Sequence, residues 1–131
     1  MKEMLKVCCA IIEHQDKILV AQRSETMLLP LQWEFPWGKV EVGETVEECI
    51  VREIKEELAM DITVVKPLTP VIHHYDTFSL ELIPFVCSCE SAHFEKKEHK
   101  NIVWSDKQRL MDFEWAAADI PIVQEYLKTV F

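Results

Sequence analysis

Residues Trp33 to Ile62 read WEFPWGKVEVGETVEECIVREIKEELAMDI, and the second half of this stretch decides the fold. Thr45 and Glu48 stand at the capping-box spacing, in which the hydroxyl accepts the N3 amide and the N3 carboxylate reaches back to the N-cap amide. A helix is therefore predicted from about Val46. At about 100° per residue, Val46, Ile50, Ile54 and Leu58 form one apolar stripe, while Cys49, Glu53, Glu56 and Glu57 lie on a strip about a quarter turn away. Glu53 neighbours both Glu56 and Glu57, and like charges so placed cost about 0.2–0.5 kcal/mol per pair. A solvated acidic face is the plain reading of such a cluster. The chemical reading is a hard divalent cation, because Mg²⁺ takes oxygen ligands, usually one or two carboxylates plus substrate phosphates. Arg52, four residues before Glu56, can pair with a carboxylate and fix its rotamer.

Around this helix the chain alternates strands and helices without internal repeat, low-complexity tract or Gly/Ser linker. Leu5 to Glu13 and Ile18 to Gln22 read as a hairpin closed by His14-Gln15-Asp16-Lys17. Beyond the helix, Ile62 to Val65 reads as a strand, Pro67 and Pro70 as breakers, and Val71 to Tyr75 and Leu80 to Cys89 as extended. Pro84 implies an edge strand or a bulge. Asn101 to Trp104 is a further strand, Ser105 with Gln108 caps a short helix, and Asp119-Ile120-Pro121 opens a terminal helix packed by Val123, Tyr126, Leu127 and Val130. The expected class is α/β, helices on a mixed sheet.

Composition restricts the function. A chain of 131 residues with 49% apolar content is expected to be one domain, 1–131, with a single core. Its apolar runs fall far short of the roughly 18 residues a membrane helix needs, and no signal-peptide pattern precedes them. A cytoplasmic protein without membrane partner is expected. Five cysteines without CxxC spacing agree with a reducing compartment and structural thiols; the adjacent His73 and His74 also read as structural. With 14 Lys+Arg against 23 Asp+Glu, the formal charge is −9, opposite to the basic stripe of a nucleic-acid polymer binder. A small polyphosphate is repelled by such a field unless it arrives with a cation.

The spacing Gly38, five residues, Glu44, seven residues, Arg52-Glu53-Ile54, one residue, Glu56-Glu57, then Leu58-Ala59-Met60 resembles the Nudix box, G-x5-E-x7-R-E-U-x-E-E-x-G-U with U apolar. Two positions depart from it. Ala59 replaces the last glycine, which implies a different C-terminal turn or a strain of roughly 1 kcal/mol. Trp37 stands where a second glycine is common, and its indole is expected to narrow the approach to the site. The resemblance extends to Ala21-Gln22-Arg23, to Trp33-Glu34-Phe35-Pro36, and to Glu98-His99 through Val103-Trp104. It is nearest the MutT-like nucleoside triphosphate pyrophosphohydrolases, with Ala118-Asp119-Ile120-Pro121 resembling the cytidine-nucleotide branch.

This resemblance implies an α/β/α sandwich with the mixed sheet between helices, and Mg²⁺, or Mn²⁺ in its place, as cofactor. It places the metal on Glu53, Glu56, Glu57, the Trp37 carbonyl and Glu98. Glu53 is the expected general base, with Arg52 orienting the ligands and Glu44 adding a ligand or ordering the loop. Lys39 is expected to reach a phosphate, although a solvated loop charge explains Lys39 and Glu44 equally simply. Arg23, Phe35 and Asp119 match positions that line the nucleobase pocket; Asp119 is equally a helix N-cap. Phe78 and Trp115 are aromatic candidates for stacking, with core packing as the alternative. The expected partner is a small nucleotide, bound by a monomer or a homodimer. The expected reaction is hydrolysis of an 8-oxo-dGTP- or (d)CTP-type triphosphate to monophosphate and pyrophosphate. The alternatives are an inactive Nudix-fold binding module and a pyrophosphatase for another nucleoside diphosphate-linked substrate.

Overall fold

The computed structural model describes residues 4–129. Strands β1 (Met4–His14) and β2 (Lys17–Gln22) form the expected hairpin. Its two loop residues, Gln15 and Asp16, have φ of 48° and 67°, and a two-residue loop with both φ positive twists in the sense the strands require. Two short strands, β3 (Trp33–Glu34) and β4 (Trp37–Lys39), precede helix α1 (Val46–Leu58). Strands β5 (Thr63–Pro67), β6 (Val71–His74), β7 (Ser79–Ser88) and β8 (Asn101–Asp106) follow, and helix α2 (Ile120–Thr129) ends the described chain. Val130, expected in that helix, lies outside the described residues.

All eight strands share one mixed sheet. β1 runs parallel to β7 from Met4↔Ser79 to Glu13↔Ser88, and the other pairings are antiparallel. The edge of β1 opposite β7 changes partner along its length. At its C-terminal end Glu13 and His14 pair with β2, whereas Val7 to Cys9 pair with β4. Between them the Ala10 amide donates to the Pro36 carbonyl at 2.9 Å. β3 pairs with the far end of β2, so residues 33–39 form a wedge between two splayed strands.

Strand alternation sends the residues of β1 to opposite faces. Val7, Cys9 and Ile11 pack with Ile18, Val20, Ile122, Val123 and Tyr126, under α2. Cys8, Ala10 and Ile12 pack with Leu19, Ala21, Cys49, Ile50, Ile54 and Leu58, under α1. The sandwich expected from the resemblance is present, with a core on each face of the sheet. Fully burying an aliphatic side chain stabilises by about 1.5–3 kcal/mol, so the apolar stripe of α1 is what holds its acidic strip in place.

Helix α1 begins at Val46 with the capping box formed by Thr45 and Glu48. It ends with Ala59 in the left-handed region, φ 54° and ψ 36°, its N–H on the Lys55 carbonyl at 3.1 Å. Of the two expected outcomes at this residue, the left-handed turn is retained and the strain accepted.

Three expectations are corrected. Pro84 lies in β7, between β1 and the β5/β6 pair, and not at an edge. It sits opposite the break where β6 pairing stops at Leu82 and β5 pairing starts at Phe85, and its carbonyl accepts the Leu68 amide at 3.0 Å. Ser105 belongs to β8, paired with Ile18, and its hydroxyl donates to the Asp106 carbonyl at 3.0 Å. The following short 3₁₀ segment, Lys107–Asp112, has Asp106 at its N-cap without a side-chain cap bond. The first strand after α1 starts at Thr63 and includes Pro67, which was expected to break it.

Candidate active site

Glu34 organises the wedge. Its carboxylate is 4% exposed and accepts three hydrogen bonds from three chain segments. Arg23 Nη1, at the end of β2, donates to Oε1 at 2.7 Å, and the Trp37 indole N–H donates to the same oxygen at 2.8 Å. His99 Nε2, from the segment before β8, reaches Oε2 at 2.9 Å; because an ionised carboxylate only accepts, this nitrogen carries the proton. Arg23 also donates through Nε to the Leu28 carbonyl, and its guanidinium lies 5.9 Å from the centroid of the Trp37 ring. Buried charges persist only when paired and hydrogen-bonded, and Glu34 meets that condition.

The acidic strip of α1 faces this wedge. Arg52 donates to both oxygens of Glu44, Nε at 3.0 Å and Nη2 at 2.7 Å, and its Nη1 reaches Glu53 at 2.9 Å and Glu56 at 3.1 Å. A further bond runs from Nη2 to the Lys39 carbonyl at 3.3 Å. One guanidinium thus joins the loop before the helix, β4 and two of the three strip glutamates. These bonds draw the Glu44 carboxyl down to about 2. Burial moves Glu53 the other way, upward, against the pull of Arg52.

Glu57 is set apart. Its Oε2 is buried with no hydrogen-bond partner, and burial raises its carboxyl to about 7, opposed by His99 and reinforced by Glu53, Glu34 and Glu98. An unpartnered buried carboxylate oxygen beside other carboxylates suits a cation. The neighbouring donors, Glu53, Glu56, Glu98 and backbone carbonyls of β4, are all oxygen, as a hard divalent ion requires. Among the described residues no three His, Cys, Asp or Glu side chains stand converged on one point; Arg52 is bonded to Glu53 and Glu56. The residues present fit a divalent ion that competes with Arg52 for those oxygens.

Two adjoining spaces complete the site. An open cleft of about 430 Å³ is lined by Glu53, Glu57, Glu98 and His99 with Gly38 and Glu41. A more apolar cavity of about 170 Å³ lies beside it, walled by Leu80 and Leu82 of β7, Tyr75, Phe78, Ala118 and Asp119. Arg23, Glu34, Trp37 and Lys39 line both. Phe78 stacks on Tyr75 with centroids 5.0 Å apart, and the Tyr75 hydroxyl accepts the Ala118 amide at 3.0 Å.

Asp119 is 5% exposed, and its Oδ2 accepts the Phe35 amide at 3.0 Å. Burial, with the charge of Glu34, pushes its carboxyl well above the ordinary range. The observed bond of this side chain spans the fold and ties the wedge to the turn before α2. The Phe35 ring is fully buried, 4.8 Å from Trp115; its apolar contact is with the core, and only its amide serves the cavity, through Asp119. Trp115 likewise packs in the core, its indole N–H on the Leu110 carbonyl at 2.6 Å. Glu56 does not line the cleft; with Lys97 it borders a smaller adjoining space, whose other walls, Glu57, Glu98 and His99, also line the cleft. Tyr75, His99 and the hub role of Glu34 were not singled out in the sequence. The one available signal was a carboxylate set among Trp33, Phe35 and Trp37, where burial demands partners.

Residues 7–125 match the NUDIX domain family. The chain belongs to the Nudix family. CTP pyrophosphohydrolase of Escherichia coli strain K12 is 30% identical over 125 residues, covering 95% of this chain and 93% of that protein. An 8-oxo-dGTP diphosphatase of Proteus vulgaris is 33% identical over 75 residues, 56% of this chain and 67% of that one. The solution structure of MutT, a Nudix hydrolase from methicillin-resistant Staphylococcus aureus 252, has a TM-score of 0.79 at 41% identity and covers 98% of both chains. The family match thus spans the segment that carries the α1 glutamates, on a MutT-like scaffold.

Proposed function

We propose that this Nudix chain hydrolyses a nucleoside triphosphate, with Mg²⁺ or Mn²⁺, to the nucleoside monophosphate and pyrophosphate. The observation that carries the reading is the common wall of Arg23, Glu34, Trp37 and Lys39, which joins an apolar cavity to an acidic cleft. A nucleotide has the matching halves, a planar base and a polyphosphate. The relatives named as CTP pyrophosphohydrolase and 8-oxo-dGTP diphosphatase support a base of (d)CTP or 8-oxo-dGTP type.

In this reading Glu53, Glu56, Glu57, Glu98 and the Trp37 carbonyl would hold the ion, which when bound would neutralise charge on the phosphate oxygens. Glu53, its carboxyl raised by burial, takes the proton of the attacking water. The new P–O bond forms as the anhydride between the first and second phosphates breaks, and pyrophosphate leaves. Arg52 holds Glu53 and Glu44 in register, and Lys39 meets a phosphate from the cleft wall. Asp119, with Tyr75 and Phe78 beside it, reads the base, its pattern of donor and acceptor set by its protonation.

The test is a panel of natural and oxidised nucleoside triphosphates with Mg²⁺, scored by product. Monophosphate and pyrophosphate in equal amounts are expected. Nucleoside diphosphate with orthophosphate as primary products, or no turnover with any nucleotide, contradicts the proposal.

A further inference from the structure

We propose that the Trp37 indole contacts the substrate and determines specificity, taking the sugar and the glycosidic edge of the nucleotide. The inference rests on the nucleotide reading given above and goes beyond it, since it concerns a side chain that the Nudix box does not carry.

Three observations support it. First, Trp37 is one of four residues that line both the apolar cavity and the acidic cleft, so a ligand spanning the two passes its ring. Secondly, the ring is fixed before any ligand arrives. Its N–H is bonded to Glu34 at 2.8 Å and the Arg23 guanidinium sits over it at 5.9 Å, while Glu34 is itself held by Arg23 and His99. A rigid aromatic side chain loses little conformational freedom on binding, which favours its use as an anchor. Thirdly, the charge pattern selects which part of a nucleotide lies there. Glu34 and Arg23 satisfy each other at 2.7 Å, so no unpaired cation is left beside the indole to hold a phosphate. A neutral sugar needs none. Lys39, exposed on β4, suits the phosphate side.

The competing explanation is that the indole only props Glu34. Two variants of the full chain separate these: W37A removes the ring, and W37F keeps an aromatic face without the N–H. Steady-state kinetics with the best triphosphate and Mg²⁺ should show KM raised about tenfold in W37A, the scale of an aromatic contact to a nucleoside. The rise in KM should exceed any fall in kcat, and W37F should lie nearer wild type in KM than W37A does. Independently of turnover, the fluorescence of the wild-type protein should be quenched by a nucleoside monophosphate without metal, and much less by inorganic pyrophosphate. W37F should bind the monophosphate by calorimetry but lose most of that quench, because only Trp33, Trp104 and Trp115 remain.

A W37A protein with unchanged KM and reduced kcat or thermal stability overturns the proposal in favour of a prop. Equal quenching by pyrophosphate, or none by the monophosphate, also overturns it. Failure of the wild type to hydrolyse any triphosphate would sink the activity reading, while the monophosphate quench would still decide whether the ring meets a nucleoside. If W37A does not fold, the loss of quench in a binding-competent W37F carries the decision.

Discussion

A methyl group on Gly38 would stand 2.1 Å from Cγ of Glu53 and 2.2 Å from its Cδ. The Glu53 side chain therefore lies directly on bare backbone of β4, held from its other side by Arg52 at 2.9 Å. The glycine before Lys39 is required by this contact, since its φ lies outside the left-handed region.

Substituting Gly38→Ala should consequently displace Glu53. Overpacking costs about 1–3 kcal/mol, read by urea denaturation, and kcat should fall at least about tenfold. Wild-type kcat in this variant would show that the seat of Glu53 on β4 is not needed for turnover.

Glu53 and Glu57 should differ when each is neutralised. Glu53→Gln should lower kcat by about 10²-fold or more even at saturating Mg²⁺, the scale of losing a general base. Glu57→Gln should weaken Mg²⁺ binding itself, since it removes the charge beside the unpartnered buried oxygen. Calorimetric Mg²⁺ titration of both variants beside their kcat values decides; equal activity of Glu53→Gln and wild type at saturating Mg²⁺ would remove Glu53 from the role.

The parts of this arrangement that were legible in the sequence are those written in local spacing. Thr45 and Glu48 placed the helix start within one residue, and the period of Ile50, Ile54 and Leu58 located its buried face. The β1–β2 hairpin was legible for the same reason. What escaped depends on contacts between distant residues: His99 to Glu34 spans 65 positions and Phe35 to Asp119 spans 84. Periodicity reports which side of an element is buried, and not what it meets. Ser105 was misread because Ser with Gln three residues on fits a cap, yet the ladder to Ile18 extends the strand through it. Pro84 was misread because a missing amide suggests an edge, whereas a break between two partner strands serves equally.

Asp119 gives a pH signature. Its carboxyl is raised from an ordinary 3.8 by burial, so the folded state keeps a proton that the unfolded chain would release. That contribution to stability is fully present below about 3.8 and is lost as pH rises through the folded value. Asp119→Asn mimics the neutral acid, so relative to it the wild type should lose stability progressively as pH is raised from 4. Parallel pH curves of urea stability for the two proteins would contradict a neutral Asp119. In kinetics, Asp119→Ala should lower kcat/KM for the preferred nucleotide far more than for poor ones, because a site built for a polar partner discriminates sharply.

Ala59 offers a test of backbone strain alone. A left-handed alanine costs roughly 1–2 kcal/mol, and glycine returns about half of that through its greater freedom when unfolded. Ala59→Gly should thus raise stability by about 0.5–1 kcal/mol in urea unfolding, with kcat unchanged. A loss of stability would mean that the Ala59 methyl group makes contacts worth more than the strain.

The wedge of residues 33–39 has a consequence for how an opening can exist in a sheet at all. Parting two paired strands ordinarily strands a row of amides and carbonyls, each expensive to leave dry. Here β1 exchanges β2 for β4, and between the two pairings Ala10 donates to Pro36. The recess that admits a ligand is thereby lined by side chains together with the bare backbone of Gly38. Residues such as Trp37 can then be exchanged to alter what enters while the hydrogen-bonded frame beneath them stays closed, so selectivity and foldability are under separate control.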